Sequence, residues 1–147
     1  MRTLLVSVAI QLSLAGSNAF GDSSLSEVAE MLRTTRFAAG CDIDVLSDPQ
    51  SNAVTVKIAD NRGIEVELLV SEASVSRESS ESFDKLVIST GQIGLASYWS
   101  AAGFVQSPTG EKYKLNWLVN DQSRESEVFK LSGRSEGVGV VNIDCGF

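Results

Sequence analysis

From Cys41 to the C-terminus this chain alternates apolar and polar residues with a period of two, a period that suits half-buried β-strands and little else. Cys41-Asp42-Ile43-Asp44-Val45 sets the pattern, and Ser47-Asp48-Pro49-Gln50-Ser51-Asn52 turns the chain. Val54-Thr55-Val56-Lys57-Ile58 repeats it, and Asp60-Asn61-Arg62-Gly63 turns again into Ile64-Glu65-Val66-Glu67-Leu68, which continues to Val70. Apolar side chains fall on one face and charges on the other, as in antiparallel strands with one solvated face. Short turns rich in Asp, Asn, Gly and Pro make the strands sequential hairpins.

Residues 71–84 are rich in Ser and Glu and read as a long exposed loop with some helix. Lys85–Thr90, Tyr113–Val119, Val128–Leu131 and Val138–Cys145 read as further strands, with Tyr113, Leu115, Trp117 and Val119 sharing a face. Gly91–Gln106 is uncharged and mixes Gly, Ala and Ser with aromatics, so both the helical and the strand period fit it poorly. The expected fold is mainly β, an antiparallel meander of about seven to eight strands. With eight, a small closed or nearly closed barrel is the expected form, and a two-sheet sandwich is the alternative.

The strand region is bounded by the two cysteines of the chain, Cys41 and Cys145. An even meander makes its first and last strands antiparallel, placing the start of one beside the end of the other. A disulfide needs Cα atoms within about 7 Å, so the expected bridge crosses the closure seam. Closing a loop of roughly 100 residues contributes about 4–5 kcal/mol, mostly through the unfolded chain. Two thiols without any histidine do not make a zinc site, and the spacing is not that of a redox pair.

Ahead of the strands, residues 23–36 read as one short amphipathic helix. Leu25, Val28, Ala29 and Leu32 form its stripe, Ser24 and Glu27 have capping-box spacing, and Arg33 and Arg36 lie toward its C-terminal end. Earlier still, Arg2, an apolar run from Leu4 to Leu14 and small-x-small at Ser17-Asn18-Ala19 have the three parts of an export signal cleaved after Ala19. The expected organisation is a signal peptide over 1–19 and one β-rich domain over 20–147, located in the periplasm or outside the cell. Ser17 stands where a lipoprotein signal would need cysteine, which rules out lipid attachment through this site. No transmembrane helix is expected, since the apolar run is shorter than the roughly 20 residues that span a bilayer.

The formal charge of −7 becomes −8 when residues 1–19 are removed, because they hold Arg2 and no acid. An acidic surface without a Lys/Arg cluster repels phosphate, so nucleic acid is not an expected partner. Catalytic machinery is also missing from the sequence: no histidine for a nucleophile's base, no nucleophile elbow and no phosphate loop. The chain is therefore not expected to be an enzyme or to carry a cofactor or metal. The carboxylate pairs Asp42/Asp44 and Glu65/Glu67 each share a strand face, but opposite the apolar set, where solvated charge belongs.

Tyr98, Trp99 and Phe104 stand among small uncharged residues and form the candidate binding site. Core burial of that segment is the competing reading. The expected function is a non-catalytic domain binding a protein or cell-envelope component, a basic one suiting its charge. A carrier barrel for a small apolar ligand is the second reading. A small outer-membrane barrel, suggested by terminal Phe147 on an alternating strand, is the third.

Overall fold

The computed structural model describes residues 24–48, 52–77 and 84–147. The expected export signal, residues 49–51 of the first turn and most of the polar stretch after residue 77 lie outside that range.

Helix α1 spans Ser24–Thr34 and buries Leu25, Val28, Ala29, Met31 and Leu32, the expected stripe with Met31 added. It ends two residues short of the expected Arg36. The hydroxyls of Thr34 and Thr35 bond back to the carbonyls of Glu30 (2.8 Å) and Met31 (2.5 Å). Arg36 then leaves as extended chain, donating its amide to Arg124 O (2.8 Å) and accepting from Ser126 N (2.9 Å). Glu27 reaches outside the helix, its two carboxylate oxygens accepting from Arg77 and from the Trp99 indole N–H.

The strands are β1 (Asp42–Asp48), β2 (Ala53–Ala59), β3 (Glu65–Ser71), β4 (Val75–Ser76), β5 (Leu86–Ile93), β6 (Ala96–Gln106), β7 (Lys112–Asn120), β8 (Ser126–Ser135) and β9 (Gly139–Asp144), with a 3₁₀ turn at Glu72–Ser74 before β4. They form one sheet of order β9-β8-β7-β6-β3-β2-β1, with β5 added to β6 and β4 to β5. All pairings are antiparallel except β4–β5. The sheet is curled into a half-barrel. The mainly β, antiparallel architecture, with one short helix among the described residues, is as expected; the barrel is less closed. The first and last strands share no backbone ladder.

The sheet is also thinned between β3 and β6. The ambiguous segment is the second arm of a hairpin, so β5 occupies the edge of β6 from Ala96 to Gly103. Only the end of β6 is left for β3, and the two meet at the single pair Leu69–Gln106. Gly103 makes the division possible. Its φ is +137°, and a Cβ there would lie 2.2 Å from the carbonyl oxygen of Lys85 at the foot of β5. The next amide, Phe104 N, donates to that carbonyl at 3.2 Å.

The inward face follows the period of two: Val54, Val56 and Ile58 on β2, Val66, Leu68 and Val70 on β3, and Tyr113, Leu115, Trp117 and Val119 on β7. Helix α1 lies against this face, and Val28 and Leu32 fill it together with side chains of β2, β3 and β5–β8. The remaining void is about 10 Å³, about the room of a single water. Trp117 is the centre of an aromatic cluster, with ring centroids 4.8 Å from Trp99, 5.6 Å from Phe129 and 5.9 Å from Phe37. Its indole N–H donates to the fully buried Ser126 hydroxyl at 2.9 Å, which removes the cost of an unpaired donor.

The disulfide joins Cys41 and Cys145, 104 residues apart, with Cα atoms 5.9 Å apart. It ties the start of β1 to the chain just past β9, which is the expected pairing, and Ala38 N adds a bond to Cys145 O (2.9 Å). An even meander is not what brings the cysteines together: the path from β1 to β9 has seven alternating strands, so its two ends run in the same direction.

Candidate binding surface

The β5–β6 hairpin turns on Gly94-Leu95, with Ile93 paired to Ala96. Gly94 takes φ +63° and Leu95 stays at negative φ, the pattern of a type II′ turn with glycine first. β5 is buried only at its base: Leu86 and Ile88 are inside, whereas every residue from Ser89 to Ile93 is exposed. The hairpin therefore projects beyond the core. No charged residue occurs between Leu86 and Gln106, and the tip presents Ile93 (68% exposed) and Leu95 (97% exposed) to solvent.

The three residues singled out in the sequence are placed apart. Trp99 is 5% exposed, points into the core against Trp117 and donates its N–H to Glu27 Oε2 at 2.6 Å. Tyr98 and Phe104, half-buried, fall on the opposite face because β-strand residues alternate. Six residues of strand, about 20 Å, separate those two rings. Phe104 is covered by the Lys112 ammonium, 5.4 Å from its ring centroid. Core burial, the competing reading of this segment, thus describes Trp99, and the three side chains make no common surface. The residues that do face solvent, Ile93 and Leu95, are not among the three that the sequence singles out. Gly94-Leu95 between Ile93 and Ala96 was the available signal, a two-residue loop with glycine first.

An open cavity of about 330 Å³ lies against the hairpin, lined by Thr90, Gly91, Gln92, Ser97, Tyr98, Trp99 and Asp121. Asp121 is held there by its own amide, which donates to Ser97 O (2.8 Å). A second cavity, about 390 Å³, lies at the seam, where the β2–β3 turn meets β9. Its chemistry is structural. Asp60, with a side chain 5% exposed, accepts from the amides of Arg62 and Ile64 (3.0 Å each) and from Arg62 Nε and Nη2 (2.9 and 2.7 Å). Arg62 in turn donates to the Asn142 carbonyl on β9. Burial raises the Asp60 pKa, but these hydrogen bonds and the Arg62 charge outweigh it and hold the carboxyl below its usual value.

The paired carboxylates Asp42/Asp44 and Glu65/Glu67 all lie exposed on the outer face. Glu65 and Glu67 line a shallow surface hollow with Glu111, whose carboxylate accepts from Ser107 Oγ of its own turn (3.3 Å) and from Glu136 N between β8 and β9 (2.6 Å). Phe147 is 60% exposed and follows β9 rather than belonging to it. Among the described residues no helix is long and apolar enough to cross a membrane. Comparison with protein-family models, with curated proteins and with solved structures finds no match to this chain.

Proposed function

We propose that this chain is a non-catalytic binding domain, exported with cleavage after Ala19, that engages a protein or cell-envelope component through the tip of its β5–β6 hairpin. The observation that carries this reading is the exposure of Ile93 and Leu95 on an uncharged, projecting hairpin of an otherwise acidic molecule. Exposed apolar side chains at a projecting tip are an aggregation liability unless a partner covers them. The net negative charge of the chain suits a partner with a basic rim. A disulfide across the fold accords with an oxidising compartment. The carrier reading has less support, because the interior void is about 10 Å³ whereas ligand pockets run to roughly 300 Å³ or more.

The test is capture from the periplasmic and secreted fractions on immobilised protein, with the parent and an Ile93→Ser/Leu95→Ser variant side by side. The parent is expected to retain a specific component, and the variant to lose it by about 10-fold or more at unchanged melting temperature. Equal capture by both would overturn the assignment of the tip.

A further inference from the structure

Among the described residues the sheet leaves several strands with an unpaired edge, and they differ in how that edge is protected. β1 carries the exposed carboxylates Asp42 and Asp44, and β9 has its Asn142 carbonyl taken by Arg62 and ends at exposed Asp144. Charges and covering groups of this kind are the usual protection of sheet edges. β5 has neither. Beyond its two-residue contact with β4, it runs Ile88-Ser89-Thr90-Gly91-Gln92-Ile93 without a charge or a proline.

Its free backbone groups can be identified. Ile93–Ala96 closes the two-residue loop and is therefore a hydrogen-bonded pair. Alternation then gives Gly91 and Ser89 to β6, in phase with the Phe104 N to Lys85 O bond further along. Thr90 and Gln92 turn their N–H and C=O groups outward, and both residues are exposed.

We propose that two copies of this chain pair antiparallel along this edge, about a two-fold axis at Gly91. In that register Thr90 of one copy exchanges both backbone bonds with Gln92 of the other, and the reverse, so the groups used are the groups left over by the fold. Gly91 opposes itself at a non-hydrogen-bonded position, where Cα atoms approach to about 4.5 Å and side chains crowd most. On the same face, Ile93 packs over Ser89 of the second copy. Charge favours a second copy here over the β1 edge. Two copies of an acidic chain repel, and pairing through β1 would bring Asp42 and Asp44 together, whereas the β5 edge is neutral. The contact is small, so association is weak and depends on concentration. The proposal goes beyond the binding reading and does not rest on it, since it is tested with no other protein present.

Sedimentation equilibrium of the purified protein from micromolar to millimolar concentration is the measurement. The parent's average mass is expected to climb toward twice that of one chain. Thr90→Pro removes an outward N–H that the fold does not use, and Gly91→Lys sets like charges against each other on the axis. Both are expected to keep the parent's circular dichroism and to stay at the mass of one chain throughout. A parent that never associates overturns the proposal, even if it binds a neutral extended peptide at this edge. So does a folded Thr90→Pro variant that associates like the parent. Should that variant fail to fold, Gly91→Lys decides by the same criterion.

Discussion

Trp99 and Trp117 meet edge to face at 4.8 Å, and each buries an indole whose N–H has a single partner, Glu27 for one and Ser126 for the other. Truncating either leaves a large cavity and strands a polar partner. Trp99→Ala and Trp117→Ala are each expected to cost about 3–5 kcal/mol in denaturant melts, the range for large aromatic truncations in cores. Similar losses at both sites would place Trp99 in the core on thermodynamic grounds as well. Gly103 is the residue where backbone geometry leaves least freedom. Gly103→Ala adds a Cβ that would meet the Lys85 carbonyl at 2.2 Å, at a φ of +137°. It is expected to destabilise by about 1–3 kcal/mol or more, with the hairpin base loosening first in hydrogen exchange.

The β2–β3 turn and the β5–β6 hairpin are elements of opposite kind. The first is fastened: Asp60 organises the turn, and Arg62 carries it across to β9. A carboxyl with its folded-state pKa depressed adds stability above its unfolded value of 3.8, and loses that contribution as pH falls through the lower folded value. The parent is therefore expected to lose stability between about pH 4 and lower pH. Asp60→Asn, which cannot ionise, is expected to be less stable at neutral pH and to show a flatter acid profile. Parallel profiles would remove Asp60 from the seam's stability. The β5–β6 hairpin, in contrast, projects with its outer half in water. Ile93→Ser/Leu95→Ser is expected to change stability by no more than about 0.5 kcal/mol, because neither side chain contributes to the core.

For the molecule as a whole, the disulfide substitutes for the ladder that a closed barrel would have between first and last strands. Protein unfolded without reductant is expected to show no titratable thiol. Reduction is expected to lower stability by about 4–5 kcal/mol, measured as the shift in denaturant midpoint. Loss of much less would mean that the Arg62 clasp and the sheet hold the seam without it. The filled interior carries a related expectation: apolar dyes that enter carrier barrels should not bind the native protein, since the void is about 10 Å³.

The sequence alone determined the features that depend on local chemistry. Alternation specified the strands and their buried faces, as at Tyr113, Leu115, Trp117 and Val119, because successive strand residues point to opposite sides. The stripe Leu25, Val28, Ala29 and Leu32 specified the helix, and an isolated cysteine pair at the ends of the strand region specified the bridge. What lies at longer range had no local signature. Which edge of β6 is taken by β5 and which by β3 depends on where Lys85 approaches Gly103, a contact between separate elements. The same holds for the candidate site. An uncharged run containing Tyr98, Trp99 and Phe104 reads alike whether it enters the core or leaves it. Only the position of Trp117, Glu27 and α1 draws Trp99 inward and leaves Ile93 and Leu95 outside, because burial is a property of the packed whole and not of the segment.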